Sequence, residues 1–452
     1  MTTGCPLPEA GPETGLHVLK GLARERSLLT ALEIMRAEVG PAFRITLPGF
    51  QPAVLVGADS NKQIMVSQRE HLNFRSETDP VTKLLRHGVL VEDGDAHARL
   101  RGHMEPVLLK PQVVHHVPRM LAYTDQVTEA WADGSVRDML VEMRRLALHI
   151  LLGTLVDVEF DTVFTDTLNS DLERLWRPIL RAIKYISPGL WIVLPNMPRF
   201  GYQAALDQLD AYLYGLIRQR RAQLAGAPPA ETAGTARDLL TQLVRAPEMT
   251  DDLIRDQILT MLIAGHDTST ALLAWALHLL SVHPDVMARA VAEVDAVLGR
   301  DAPTAANVEH LEYLDAVIKE ALRLYPPIHV GNRIVADDTV IAGYEISAGT
   351  RLMASIYLTH RDERYWDAPA EFRPARFARE AERPAAFTYV PFGGGPRVCI
   401  GATFAQVEAK VVLGRILQRF ALAGAGRQVH AYMGATLEPH PGVFLRVRRR
   451  RA

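Results

Sequence analysis

The longest helical pattern of apolar and polar positions in this chain runs from residue 252 to residue 283. Thr250 precedes this stretch as a helix-capping residue, and Pro284 ends it. A second stretch, residues 139–152, carries apolar residues at spacings of three and four. Because such spacing places apolar side chains on one face of a helix, we predict one long helix at 252–283. Helical patterns dominate the chain from about Asp93 onward.

Strand patterns are short and lie towards both ends of the chain. Two runs of alternating or β-branched residues, 42–47 and 52–57, flank a turn signal at Pro48 and Gly49. These patterns predict a mainly α fold, in which one large helical domain carries a smaller β-rich region. The β-rich region is expected at about 40–60, 333–357 and 440–448, and the helical part at about 93–330 and 400–420.

Residues 224–236 are rich in Ala, Gly and Pro, and we predict an exposed loop between helices there.

The overall composition limits the classes of partner that we expect the protein to bind. Lys and Arg number 50 against 52 Asp and Glu, which argues against nucleic-acid binding. No uncharged apolar run reaches the roughly 18 residues that span a bilayer. The first residues lack the features of a secretory signal, and two cysteines indicate no reliance on disulfides. We therefore expect a cytoplasmic protein without a transmembrane segment.

One cysteine stands in an unusual setting near the C-terminus. The chain reads Phe392-Gly-Gly-Gly-Pro-Arg-Val-Cys399-Ile-Gly401, so that glycines frame Cys399 and Arg397 precedes it by two positions. Backbone N–H groups and the arginine would favour the thiolate, which is the form that binds metals. A metal or haem ligand, a nucleophile and a buried structural cysteine are all open at this point. The run of glycines and the arginine count against the structural cysteine.

The middle of the long helix contradicts its flanks. Residues 264–270, Ala-Gly-His-Asp-Thr-Ser-Thr, are weak helix formers, and a mid-helix glycine costs about 1 kcal/mol relative to alanine. Local conflicts of this kind are typical of functional sites. Ala264 and Thr268 lie one turn apart on one face of the helix, and their small side chains leave room there for a bulky group. The Thr268 hydroxyl can also donate a hydrogen bond to the carbonyl four residues earlier. A core helix with a small-residue contact explains the pattern equally well.

The pattern Phe392-x-x-Gly395-x-Arg397-x-Cys399-x-Gly401 resembles the haem-ligand loop of the cytochrome P450 superfamily. The resemblance implies the cytochrome P450 fold, a single haem domain over residues 1–452, and haem b (iron protoporphyrin IX) as cofactor. It makes Cys399 the axial iron ligand and places Phe392 and Gly401 in the haem-binding loop.

The segment Ala264-Gly265-x-Asp267-Thr268 is similar to the oxygen-activating segment of the same family. There the acid and the threonine order water and deliver protons, and the small residue lies beside the haem. The resemblance therefore implies catalytic roles for Asp267 and Thr268 and a cofactor contact for Ala264. His266 is expected to point to another face, and we assign it no catalytic role.

Two further motifs resemble parts of this family. Glu320-Ala-Leu-Arg323 is similar to its Glu-x-x-Arg signature, and residues 372–377 supply the second arginine of that network, Arg376. Ala375 departs from the acidic residue that is usual there. We interpret Glu320, Arg323 and Arg376 as structural support. The haem propionates need cationic or hydrogen-bonding partners, and the resemblance indicates four candidates: His97, Arg101, Arg333 and Arg397.

The substrate side is less distinct. By resemblance, residues 328–330 overhang the haem, and the cavity-facing candidates are Thr260, Ile263, Ala264, Ile328 and Val330. The apolar stretch 188–195 is either a lid, which could touch a membrane, or a loop tucked onto the core.

The resemblance implies a monooxygenase that inserts one oxygen atom from O2 into a sizeable apolar substrate of the fatty acid, terpenoid or carotenoid type. Electrons would come from a separate ferredoxin or flavodoxin with its NAD(P)H reductase. One alternative is a haem-thiolate peroxygenase or dehydratase, against which the acid–threonine pair counts. Others are a non-catalytic haem carrier or gas sensor, and a merely structural Cys399.

Overall fold

A computed structural model describes residues 4–25, 27–47, 50–77, 79–158, 202–226 and 236–450. The α-helices are α1 (Pro12–Glu25), α2 (Leu28–Glu38), α3 (Ala58–Lys62), α4 (Pro80–Leu85), α5 (Gly94–Met104), α6 (Lys110–His115), α7 (Val117–Glu129), α8 (Met139–Leu151), α9 (Tyr202–Gly226), α10 (Leu239–Arg245), α11 (Asp251–Val282), α12 (Pro284–Leu298), α13 (Ala305–Val308), α14 (Glu312–Leu324), α15 (Ile356–Thr359) and α16 (Ala402–Arg419). Single 3₁₀ or π turns lie at Gln63–Ser67, Arg69–His71, Glu105–Leu108, Leu152–Val156, Pro374–Phe377 and Gly395–Arg397.

The strands are short, from two to six residues. They are β1 (Ala42–Arg44), β2 (Ala53–Leu55), β3 (Leu72–Asn73), β4 (Val136–Asp138), β5 (Val330–Val335), β6 (Thr339–Ile341), β7 (Tyr344–Ile346), β8 (Arg351–Ser355), β9 (Phe420–Gly424), β10 (His430–Met433), β11 (Leu437–His440) and β12 (Phe444–Arg449). The main sheet has the order β1-β2-β8-β5-β3, with only β2 and β8 parallel.

Helix α11 is the central element of the helical part. The Thr250 side chain accepts a hydrogen bond from Leu253 N at 3.3 Å, which satisfies one of the free amides of the first turn. The helix ends before Pro284, as its sequence predicts. Most of its 32 residues touch protein on every side, because α8, α9, α14 and α16 pack around it. Its middle turns are therefore held rigidly inside the domain.

The predicted mainly helical fold with a smaller β-rich region is confirmed. Several boundaries differ. Helices α1 to α4 precede residue 93, and α15 begins within the last two residues of the predicted strand region 333–357. The strands β3, β4, β9 and β10 lie outside the predicted ranges, and β11 overlaps the range 440–448 only at its last residue. Strands this short carry little alternating pattern, and their pairing partners are distant in sequence, which is why local patterns do not reveal them.

The β-rich region joins the two ends of the chain. Strand β2 pairs with β8, and β12 pairs with both β4 and β9. Helix α9 continues to Gly226, so the predicted loop 224–236 begins later than expected; residues 227–235 and the stretch 188–195 lie outside the described residues. Within the described residues, no single helix has the length and hydropathy of a membrane span, although the bent pair α11 and α12 passes that test when the two are taken together.

Candidate active site

Cys399 stands at the end of the glycine-rich loop before α16, and it lines a large cavity. Its N–H donates to Phe392 O at 2.8 Å, which closes the loop on itself. Gly393 and Gly395 have φ angles of +71° and +65°, a region that residues with a Cβ rarely adopt. Gly401 adjoins the N-terminus of α16, and its backbone N–H hydrogen-bonds to the sulfur. The loop thus presents a single thiol to the cavity.

The electrostatics of the thiol differ from the prediction. Cys399 is exposed, but the space to which it is exposed is the cavity. Desolvation by the surrounding protein raises the pKa of the Cys399 thiol, and the Gly401 hydrogen bond and the charge of Arg101 oppose this only in part. The predicted contribution of Arg397 is wrong, because its guanidinium pairs with Asp93 instead. Metal coordination would still deprotonate this sulfur, as it does any coordinating thiol.

Three arginines surround one aromatic ring at the edge of the cavity. The guanidinium carbons of Arg75, Arg333 and Arg397 lie 4.9, 4.3 and 4.5 Å from the centroid of the Phe74 ring. Burial and repulsion from the other two arginines lower the pKa of Arg333 to about 10. Burial also lowers the pKa of Arg75 and of Arg397. Asp93 compensates Arg397. Because buried cations are costly unless anions compensate them, Arg75 and Arg333 fit a ligand with carboxylates, such as the two haem propionates.

The other two predicted propionate partners stand on α5 and line the same cavity. Burial and the nearby charges of Arg397 and Arg101 lower the pKa of His97 to about 4, so its ring offers a hydrogen bond at neutral pH but no charge. Arg101 Nη1 donates to Val398 O at 2.7 Å, which ties α5 to the cysteine loop. The four predicted residues therefore line one cavity, although His97 is neutral.

Arg75 is the member of this cluster that the sequence did not reveal. No motif marks it. It reaches the cluster because β3 pairs antiparallel with β5, with Asn73 opposite Ile334, and this pairing brings residues 74 and 75 beside Arg333. Arg75 Nε is buried and has no hydrogen-bond partner among the described residues. An unsatisfied buried donor of this kind again favours an anionic ligand.

The central turns of α11 form another wall of the cavity. Ala264, Gly265, Asp267 and Thr268 all line it. Thr268 Oγ donates to Ala264 O at 2.6 Å, so its hydroxyl is held against the helix and its oxygen remains able to accept. An added Cβ at Gly265 would lie 2.9 Å from the side chain of Leu151, which shows how closely α8 approaches this turn.

Asp267 has neighbours that the sequence did not predict. Its Oδ1 is buried and lacks a hydrogen-bond partner within the described part of the chain. His266 Nδ1 is 3.4 Å from that oxygen, while His266 Nε2 faces the carbonyl of Arg144 at 3.2 Å. Burial raises the pKa of Glu438, which is paired with Arg144, and the charge of Asp267 raises it further. His266 thus lies outside the cavity lining, on another face than Thr268, as expected, yet it also adjoins the carboxylate.

A second buried acid lies behind the same turn. Ser269 Oγ donates to Glu408 Oε2 at 2.6 Å, which links α11 to α16. Burial raises the pKa of Glu408 to about 8, so that its carboxyl keeps a proton at neutral pH. The sequence shows Glu408 only as one polar position in an apolar helix. Its role in joining the two helices depends on their packing.

The predicted substrate-side residues Thr260, Ile263, Ala264, Ile328 and Val330 all line the cavity. Its volume is about 1190 Å³, of which a haem bonded to Cys399 would take a share. The cavity continues beyond these residues to α1 and the β1–β2 connection, where its lining includes Leu16, Leu19 and Phe50. It is thus long, and most of its lining side chains are apolar.

The predicted structural network is compact and buried. Arg323 donates to both carboxylate oxygens of Glu320, at 2.7 Å each, and also to the carbonyls of His360, Pro369 and Glu371. Arg376 Nε lies 3.3 Å from Glu320 Oε1. His360 Nε2 accepts from Val390 N at 2.9 Å, so its Nδ1 carries the proton and donates to Arg323 O. The network therefore holds the segment that leads into the cysteine loop.

Comparison with known proteins agrees with this geometry. The sequence profile of the family described as "Cytochrome P450" matches residues 6–441. "Putative cytochrome P450 139" of Mycobacterium tuberculosis (strain ATCC 25618 / H37Rv) is 30% identical over 426 residues, covering 91% of this chain and 95% of the relative. "Protein LUTEIN DEFICIENT 5, chloroplastic" of Arabidopsis thaliana is 30% identical over 386 residues, covering 80% of this chain and 64% of that protein. The crystal structure of the "cytochrome P450DA heme domain" superposes with a TM-score of 0.85 at 28% identity and covers 99% of this chain.

Proposed function

Because this chain belongs to the cytochrome P450 family and is a haem-dependent monooxygenase, we propose that it inserts one oxygen atom from O2 into a sizeable apolar substrate. The observation that carries the proposal is the apolar cavity, which runs from Cys399 to α1 and has a volume of about 1190 Å³. Typical ligand pockets are roughly 300–1,000 Å³. The part of the cavity that a haem would leave free is long enough for fatty acids, terpenoids and carotenoids. The similarity to a relative named for lutein supports a carotenoid.

The residues present fit a haem. Cys399 would supply the thiolate ligand, and Arg75, Arg333, Arg397, Arg101 and His97 would hold the propionates. A thiolate-bound haem supplies the activation of dioxygen. Ala264, which has the smallest side chain after glycine, lines the cavity on α11 and leaves room for the macrocycle.

Asp267 and Thr268 are the residues that we propose to manage protons. Thr268 Oγ donates to Ala264 O, and its lone pairs remain available to water in the cavity. Asp267 brings a buried carboxylate oxygen to the same turn. A polar pair on an otherwise apolar helix can pass protons from one to the next, which positioned side chains do efficiently in water-poor sites. We assign His266 no part in this transfer, because it does not line the cavity and its Nε2 faces the carbonyl of Arg144.

Insertion of one oxygen atom from O2 also requires a source of electrons. We propose a ferredoxin or flavodoxin with its NAD(P)H reductase. Val398, the exposed neighbour of Cys399 in the chain, and Arg99, an exposed cation on α5, stand on two segments that Arg101 ties together. An acidic donor suits such a surface.

We propose a cytoplasmic location. Both cysteines are free, and proteins of the reducing cytoplasm rarely carry disulfides.

A matched pair of threonine variants tests this function. Thr268 and Thr270 both donate to the carbonyl four residues earlier, at 2.6 and 2.7 Å, but only Thr268 lines the cavity. We expect Thr268→Ala to lower the rate of product formation by about 10²-fold, at the low end of what a positioned proton donor contributes, and to lower the product formed per electron consumed. Thr270→Ala should match the wild type.

Other outcomes would identify the alternatives. A haem carrier or gas sensor would form no product, and Thr268→Ala would leave its behaviour unchanged. Peroxide-driven turnover equal to donor-driven turnover would indicate a peroxygenase. If Cys399→Ala kept the red-shifted absorbance band of the reduced, carbon monoxide-bound protein, the assignment of the thiolate ligand would be wrong.

A further inference from the structure

The segment 86–92, between α4 and α5, is fastened to α11 by two adjacent side chains. Asp256 Oδ2 accepts from His87 N at 3.1 Å. Gln257 Oε1 accepts from Val89 N at 2.7 Å, and Gln257 Nε2 donates to His87 O at 2.9 Å. Three backbone groups of a short irregular segment thus depend on α11 rather than on secondary structure of their own. We call segment 86–92 the clamped loop.

Gly88 shows how closely the clamped loop approaches the helix. A Cβ added at Gly88 would overlap Thr260 Oγ and would lie 3.3 Å from Asp256 O. Thr260 Oγ is itself fixed, because it donates to Asp256 O at 2.6 Å. A side chain at position 88 would therefore have to push the loop away from α11, since neither neighbouring atom belongs to the flexible end of a long side chain.

The opposite side of the clamped loop is held by the cysteine loop. Arg397 Nη1 lies 3.5 Å from Val89 O, and Arg397 also donates to Glu92 O. Val89 is thus fixed at both of its backbone groups, by Gln257 at the N–H and by Arg397 at the carbonyl. Val89 and Leu90 line the cavity together with Thr260. The position of these apolar side chains in the cavity wall follows from the two anchors.

We infer that Gln257 is a positioning residue that determines substrate specificity. By fixing Val89 N and His87 O, it sets how far Val89 and Leu90 project into the cavity, and hence how wide a substrate can be. The inference rests on the proposed function in one respect, namely that the cavity is the site that binds the substrate. It makes Arg397 a shared anchor of the cofactor end and of the substrate wall.

The first test is amide exchange of the haem-loaded protein. Gln257→Met keeps the length and apolar volume of the side chain but removes both of its hydrogen bonds to the loop. We expect exchange across residues 86–92 to accelerate by at least about tenfold, the effect of losing one net hydrogen bond. Gln418→Met is the matched control, because Gln418 donates to Gly299 O and Asp301 O in a loop outside the cavity lining. Exchange of 86–92 that stays at the wild-type rate in Gln257→Met would overturn the inference.

The second test is ligand selectivity, measured as dissociation constants from the absorbance change of the ferric haem. The probes are hexadecanoic acid, which is slender, and abietic acid, which is a bulky terpenoid acid. The ratio of their dissociation constants should shift by about tenfold in favour of the bulky acid in Gln257→Met, the scale on which pocket shape discriminates ligands. Faster exchange with an unchanged ratio would overturn the role in specificity.

Gly88→Ala provides an independent variant should Gln257→Met fold poorly. It leaves Gln257 intact but displaces the same loop, so the same change in the ratio is expected, and a wild-type ratio would again overturn the inference. Neither readout requires turnover. If the proposed monooxygenase function failed, product formation would be missing in every variant, while the exchange and the binding ratio would still report on the clamped loop.

Discussion

Arg333 allows the proposed haem site to be tested from two sides. It lies on β5, its guanidinium stacks on Phe74, and Nη1 donates to Asn332 O at 2.7 Å. Burial together with repulsion from Arg75 and Arg397 lowers the pKa of Arg333 to about 10, which means that the cluster holds its positive charge at a cost. Replacing Arg333 with Met keeps the apolar contact with Phe74 and removes one of the three charges.

The two states of the protein should respond in opposite directions. Without haem, Arg333→Met relieves repulsion, so the free energy of unfolding should be unchanged or higher. With haem, the variant loses a charge-assisted hydrogen bond to a propionate, which contributes about 1.5–3 kcal/mol. At about 1.4 kcal/mol per factor of ten, haem should dissociate about 10- to 150-fold faster.

Haem transfer to an excess of apomyoglobin measures the dissociation rate, and urea unfolding of the haem-free protein measures stability. Arg373→Met is the matched control, because Arg373 forms exposed pairs with Asp367 and Glu371 and does not line the cavity. A dissociation rate equal to that of the wild type would refute the assignment of Arg333 to a propionate. A clear loss of stability in the haem-free variant would refute the argument from repulsion.

Two further substitutions test the buried acids. Glu320→Gln leaves the buried Arg323 without a counter-charge and should lower the free energy of unfolding by about 3–5 kcal/mol. Glu371→Gln, in an exposed pair, should lower it by less than about 1 kcal/mol. If urea unfolding showed equal losses for the two variants, the large loss predicted for Glu320→Gln would be contradicted. Glu408→Gln mimics the protonated acid and tests a pH dependence. The folded pKa of Glu408, about 8, exceeds the ordinary 4.5, so its protonated form contributes stability that is complete below pH 4.5 and is lost as the pH rises towards 8. Below pH 4.5 the free energy of unfolding of the variant should equal that of the wild type. Between pH 4.5 and pH 8 the variant should become more stable than the wild type by up to about 1.4 kcal/mol per pH unit, and above pH 8 the difference should stay constant. A difference in unfolding free energy that does not depend on pH would contradict the raised pKa.

Features whose signals are local could be predicted from the order of residues alone. Helix α11 could be bounded from Thr250 and Pro284, because caps and breakers act within a turn or two of the residues that they affect. The glycine-framed Cys399 could be singled out because positive φ angles and close backbone approach require glycine, which is visible in the sequence. Glu320 and Arg323 could be paired because residues three apart on a helix are neighbours.

Contacts between residues that are distant in the chain could be seen only in the folded protein. Arg75 joins Arg333 through the pairing of β3 with β5, Glu438 approaches Asp267 from the other end of the chain, and Gln257 reaches the backbone of residues 86–92. Arg397 turns to Asp93 instead of the thiol that is two residues away. Such contacts arise because packing joins segments separated by up to hundreds of residues, and burial then fixes the charges, which no local pattern encodes.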